Sequence, residues 1–293
     1  MAAGELARRI AVMAVGIPLA FLLFYLGSWA LGAVVTLIAA LGAAEMYALA
    51  ATRGVAAFRP LGVTAAAVLI IFSVAHTTLE GASGYLWWTV VATALVSAVA
   101  ALRFRGIERE PLAASAVTVF GALFVGGSLS FAVFLRNLEP LPRSWVGASM
   151  LAYPVVVTWV GDILAYVLGS LYGRHRLSPK ISPKKSVEGA VAGFAGSLAS
   201  GALFGWLVFD LWMHLPIGAA VGALGAILIA TAAQIGDLAE SLLKRSAGVK
   251  DSGRLLPGHG GVLDRFDALF LALPVAYAFL TGLVPLFIDV PWR

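Results

Sequence analysis

The chain has 293 residues, 61% hydrophobic and 12% charged, with a mean hydropathy of +0.95. Soluble domains carry about 25% charged residues. Half that share does not cover a water-facing surface of this size, so the composition predicts an all-α polytopic membrane protein. The absence of cysteine excludes disulfides and thiolate chemistry. The net charge of +5 comes without the aromatic–basic interleaving of RNA-binding chains. Membrane lipids, and no nucleic acid, are the expected partners.

The first residues, Met1 to Arg9, look superficially like the start of a signal peptide. The apolar run from Ile10 continues past Pro18 to Leu26 with no small-residue cleavage site, so it reads as a first spanning helix. With roughly 20 apolar residues needed per crossing, about nine transmembrane helices are predicted. They lie near 10–26, 29–51, 61–76, 84–102, 112–134, 145–172, 189–209, 216–243 and 267–287. No polar stretch is long enough for a soluble domain. The chain reads as a single integral membrane domain, with 1–144 a helical framework and 145–293 the helices and loops that carry the chemistry. A cytoplasmic N-terminus puts seventeen Lys and Arg residues inside and only Arg136, Arg143 and Arg293 outside. That is the asymmetry of the positive-inside rule, and it places the C-terminus outside.

Acids within such spans are expensive, at least about 2.5 kcal/mol at the bilayer centre, and default to functional hypotheses. Asp162 shares a helical stripe with Thr158 and Tyr166 in the sixth span. Asp237 shares one with Gln234 and Ser241 in the eighth. Both lie toward the predicted cytoplasmic ends, beside the two most basic loops. Glu45, near the end of the second span, has no motif around it and reads as an interfacial acid that snorkels to water.

The loop after the sixth span contains Arg174, Arg176, Lys180, Ser182, Lys184, Lys185 and Ser186, with two Ser-Pro pairs that favour turns. Cations interleaved with hydroxyls suit a ligand with several phosphate oxygens. Topology alone would need the charge but not the paired prolines. The loop after the eighth span is richer still. From Asp237 to Asp267 it alternates acids and bases around Gly258, Gly260 and Gly261, glycines that let backbone N–H groups approach a phosphate. Asp237, Asp251, Asp264 and Asp267 are hard oxygen donors of the kind Mg²⁺ takes beside substrate phosphates. The stretch is not a Walker A loop. The isolated His259, with His76, His175 and His214 in other loops, does not form a zinc site; between acids, His259 reads as a phosphate contact.

This second block resembles the signature of the phosphatidate cytidylyltransferase (CDP-diglyceride synthase) family. The matching positions are Ser241, Lys244, Arg245, Lys250, Asp251, Gly253, Pro257, His259, Gly260, Gly261, Asp264, Arg265 and Asp267. Asp162-x-x-Ala165-Tyr166 and Ser182-Pro183-Lys184-Lys185-Ser186-x-Glu188-Gly189 also resemble family segments, Ser186 standing where Thr is as often expected. The resemblance covers roughly 158–268; the first half matches only as a hydrophobic framework. It implies the reaction of CTP with phosphatidic acid to give CDP-diacylglycerol and pyrophosphate, in a homodimer in the bacterial inner membrane with its active site on the cytoplasmic side. It implies metal binding by Asp237 and Asp264, with Mg²⁺ the expected cofactor and a second metal or a monovalent cation left open. Asp162, Asp251, Lys250 and Arg265 are expected in supporting catalytic roles. Ser182, Lys184, Lys185, Ser186, Ser241, Lys244, Arg245, His259, Gly260 and Gly261 are expected to bind substrate. Two alternatives stay open: a CTP-dependent lipid (polyprenol) kinase, and a cation-coupled transporter, which would usually place its acids at the midplane of inverted repeats.

Overall fold

The computed structural model describes residues 16–138, 144–253, 260–286 and 288. Seven of the described helical stretches are long and apolar enough to cross a membrane: Trp29–Ala51, Leu79–Phe104, Ile107–Arg136, Trp145–Tyr172, Val187–Trp212, Ala219–Ser246 and Leu263–Leu286. Two shorter apolar helices, Gly16–Leu26 and Arg59–Ala75, accompany them. The chain is therefore an all-α polytopic membrane protein; the predicted spans from the second onward overlap described helices, and of the first only residues 16–26 lie within the described residues. The sixth spans the predicted residues without a shift.

In chain order the helices are α1 (Gly16–Leu26), α2 (Ser28–Ala51), α3 (Arg59–Ala75), α4 (Leu79–Phe104), α5 (Pro111–Gly121) and α6 (Ser128–Arg136). They continue with α7 (Trp145–Tyr172), α8 (Val187–Phe204), α9 (Ala219–Ser246), α10 (Leu263–Phe266) and α11 (Leu269–Ala278). A π-helical stretch, Ala122–Gly127, joins α5 to α6 without a break, and others extend α8 over Gly205–Trp212 and α11 over Phe279–Leu283. Helices that are apolar on every side expose large side chains where lipid replaces water. On α4 these are Trp87, Trp88, Leu95, Val99 and Leu102.

Lipid gives apolar faces no reason to leave it, so helices in a bilayer associate through close packing of small residues. The three helices that carry the polar site show this. A Cβ on Gly193 of α8 would lie 2.8 Å from the Gly161 carbonyl oxygen of α7. A Cβ on Gly222 of α9 would lie 2.3 Å from the Gly201 carbonyl oxygen of α8. Hydroxyls reinforce the contacts. Ser197 donates to the Val157 carbonyl at 3.0 Å, and the fully buried Tyr153 donates to the Gly222 carbonyl at 2.5 Å. α11 packs against α6 and α9 and joins the two halves of the bundle through Phe270, Leu273 and Ala276, all buried.

The turns predicted from the two Ser-Pro pairs take the form of an antiparallel hairpin, β1 (Arg176–Ser178) with β2 (Ser182–Ser186), Arg176 opposite Ser186 and Ser178 opposite Ser182. The hairpin links the end of α7 to the start of α8. Ser186 closes it by capping α8, its Oγ accepting the Gly189 N–H at 3.1 Å.

Candidate active site

Polar side chains from α2, α7, α9, α10 and the hairpin gather at one end of the bundle. Asp237 sits on α9 about two and a half turns before the helix ends, at 3.6 residues per turn. Three residues on, Glu240 lies on the same side of the helix, followed by Ser241 and Lys244. Asp237 receives the Lys185 ammonium from β2 in an ion pair and a long hydrogen bond from Ser241 at 3.4 Å. Lys185 thus brings the basic hairpin down onto α9.

Lys244 bridges two acids. Its Nζ lies 2.5 Å from Glu240 Oε2 and 2.6 Å from Asp264 Oδ1, with the Glu240 side chain 0% and the Asp264 side chain 7% exposed. The other oxygen of Asp264 accepts the Gly261 N–H at 2.8 Å, the Ser252 N–H at 2.9 Å and the Ser252 hydroxyl at 3.0 Å. Gly260 makes this turn possible. Its φ is +80°, and a Cβ there would meet Asp264 Oδ2 at 2.7 Å. Glu240 has its pair with Lys244 but no well-angled hydrogen bond at either oxygen.

Asp267 is placed beside this group. It lies in the electrostatic field of Asp237, Glu240 and Asp162, and its Oδ1 accepts the Ala268 N–H at 2.8 Å. Asp162 on α7 feels both Asp237 and Lys185, and Thr158, one turn away, keeps a buried hydroxyl without a hydrogen-bond partner among the described residues. Five carboxylates (Asp162, Asp237, Glu240, Asp264 and Asp267) therefore meet two ammonium groups (Lys185 and Lys244) in one network. Asp237 and Asp264 occupy neighbouring subsites with separate partners, and Glu240 feels the charge of both.

The other residues singled out from sequence fall as follows. Arg245 donates from Nε to the Ile181 carbonyl at 3.1 Å and from Nη1 to the Val249 carbonyl at 3.2 Å, so it braces the hairpin tip against the end of α9. The Ser186 hydroxyl oxygen accepts the hydrogen bond that caps α8. Lys184, Lys250, Asp251 and Arg265 are exposed around the rim, and Ser182 is half-buried at the start of β2. His259 lies outside the described residues. Two acids that the sequence reading left without a role stand at the site, Glu240 inside the network and Glu45 beside it. Glu240 carries a signal in its spacing, three residues after Asp237 and four before Lys244. Glu45 does not snorkel to water: its carboxylate accepts hydrogen bonds from Ser252, Val262 and Leu263.

Among the described residues no group of three or more His, Cys, Asp or Glu converges on a ready-made metal site. The donors fit a different pattern. Mg²⁺ is usually held by one or two carboxylates together with substrate phosphates, and an all-protein cage is not required. A carboxylate excess beside lysines fits an ion that arrives with a polyphosphate.

Fold and site together define a polytopic helical membrane protein with a carboxylate–lysine centre built across its helices and one hairpin. The profile of the cytidylyltransferase family matches residues 7–283, and the chain belongs to that family. A Synechocystis protein named phosphatidate cytidylyltransferase is 34% identical over 300 residues, 95% of this chain and 97% of the relative. Proteins of the same name from Bacillus subtilis and Thermotoga maritima are 38% identical over 156 residues and 40% identical over 144 residues. Those alignments cover 53% and 49% of this chain, and 54% and 53% of the relatives.

Proposed function

We propose that this chain transfers the cytidylyl group of CTP to phosphatidic acid, releasing pyrophosphate and forming CDP-diacylglycerol for phospholipid synthesis. The observation that carries this reading is the joining of acids from three helices to the basic hairpin through the Lys185–Asp237 pair, in a chain whose full-length relative bears that activity in its name.

A phosphatidate oxygen attacks the α-phosphorus of CTP, and the bond to the β-phosphate oxygen breaks. Both substrates are polyanions, so the approach requires positive charge between them. Lys185, with Lys184 and Arg176 on the same hairpin, meets the phosphates, and the exposed Lys250 and Arg265 add further positive charge. The backbone N–H groups of Gly261, Val262 and Leu263 are taken by Asp264 and Glu45, so they hold the carboxylates in place. Asp237 and Asp264 would hold Mg²⁺, with Asp162 and Asp267 completing the negative field that draws the ion in. Bound there, the ion supplies charge neutralisation for the attacking and leaving oxygens. The phosphatidate phosphate is already ionised near neutral pH, so the side chains have no strong base to provide.

In this reading the two shorter helices count as spans, giving nine. The distribution of Lys and Arg supports a cytoplasmic N-terminus and a site at the cytoplasmic face of the inner membrane. There the acyl chains stay in the bilayer while the headgroup reaches the acids. A homodimer is the proposed assembly. The test is purified protein in detergent with labelled CTP, Mg²⁺ and phosphatidic acid. CDP-diacylglycerol and pyrophosphate should form, and Asp237→Asn or Asp264→Asn should lower the rate by about 10²-fold or more. Full product formation by both variants would remove the site assignment. Ion movement without product would point to a transporter, and phosphorylation of a lipid alcohol to a kinase.

A further inference from the structure

We infer that Glu45, contributed by the N-terminal half of the chain, is a positioning residue for the turn that presents Asp264, an inference that rests on the site reading above. Glu45 lies on α2, far in sequence from the motif block. Its Oε1 accepts the Val262 N–H at 3.0 Å. Its Oε2 accepts the Leu263 N–H at 2.9 Å and the Ser252 hydroxyl at 2.8 Å. These are the residues on either side of Asp264's own cradle, because Ser252 and Gly261 donate to Asp264 Oδ2. The Ser252 hydroxyl has one proton and stands within reach of both carboxylates, which couples their positions.

Space around Glu45 is shaped for a carboxylate. A Cβ on Gly253 would meet Glu45 Oε1 at 2.4 Å, and one on Gly261 would meet Oε2 at 2.4 Å. Two glycines of the motif block are thus compatible with the α2 acid where alanines would collide with it. The turn that ends the same helix also grips the end of α9. Thr52 donates to the Ala247 carbonyl at 2.9 Å, and Arg53 donates to the Ser246 carbonyl. α2 is therefore tied to both ends of the segment between α9 and α10, and the framework half of the chain sets the geometry of the catalytic half.

Charge-assisted hydrogen bonds of this kind, lost in the reacting geometry, correspond to a rate loss of about tenfold or more. Glu45→Gln keeps the shape of the side chain but sets an NH₂ group against N–H donors. The experiment compares wild type, Glu45→Gln, Ser252→Ala and Asp264→Asn for CTP turnover and for the unfolding midpoint in detergent. Support is a kcat reduced about tenfold or more for Glu45→Gln, with the KM for CTP within about threefold and the midpoint unchanged. A wild-type kcat for Glu45→Gln beside an inactive Asp264→Asn overturns the inference and leaves the site reading standing. Should Glu45→Gln fail to fold, Ser252→Ala decides: a folded protein with reduced kcat supports the inference, and one with wild-type kcat overturns it. An active Asp264→Asn removes the site reading, and this inference with it.

Discussion

Lys244 offers the sharpest physical test of the buried network. Its side chain is 10% exposed and stands between Glu240 at 0% and Asp264 at 7%. Removing one partner of a buried ion pair costs about 3–5 kcal/mol, because the remaining charge stays buried without a counterion. In Lys244→Met, Asp264 keeps its donors from Ser252 and Gly261, so the loss falls mainly on Glu240, whose oxygens have no hydrogen-bond partner among the described residues. The lower end of that range, about 3 kcal/mol of stability, is expected. Reversible denaturant titration in mixed micelles, followed by circular dichroism, reads the loss directly. Adding Glu240→Gln removes the stranded charge, so the double variant should be at least about 1 kcal/mol more stable than the sum of the two single effects. A Lys244→Met protein within about 0.5 kcal/mol of wild type would show that Glu240 is not held by this lysine, and the reasoning would fail.

Gly261→Ala should slow CTP turnover by roughly 10²-fold, since small displacements of reacting groups have effects of that size; its Cβ would lie 2.2 Å from the Ser252 hydroxyl and 2.4 Å from Glu45. Steady-state rates at saturating CTP check this, and a wild-type rate would contradict the tight turn. Tyr153→Phe removes a buried hydrogen bond remote from the carboxylates. It should lower stability by about 1 kcal/mol and leave kcat unchanged, which the same titration and assay measure together.

Helix existence was legible because a spanning segment declares itself through local composition. Twenty consecutive apolar residues read as one helix whatever surrounds them, and Trp145–Tyr172 emerged with its sequence-based limits intact. The importance of Asp162 and Asp237 was legible for a related reason: an acid inside such a run stands out against its neighbours. The hairpin was legible only as a place where helices stop, since the Ser-Pro pairs mark turns without choosing strand partners.

What the sequence could not show was which distant groups meet. Glu45 read as an interfacial acid because nothing beside it in the chain is polar in pattern. Its partners, Ser252, Val262 and Leu263, are more than two hundred residues away. Ser186 read as a phosphate ligand, and only the structure shows that its hydroxyl oxygen also caps the first turn of α8. The separate subsites of Asp237 and Asp264 depend on which lysine reaches which acid, a matter of helix packing. Composition and periodicity act along the chain, so they determined the membrane class, the helices and the polar block by themselves. Hydrogen bonds and ion pairs between segments act across the chain. Only the packing of α2 against the α9–α10 turn, and of the hairpin against α9, decided how the acids are presented.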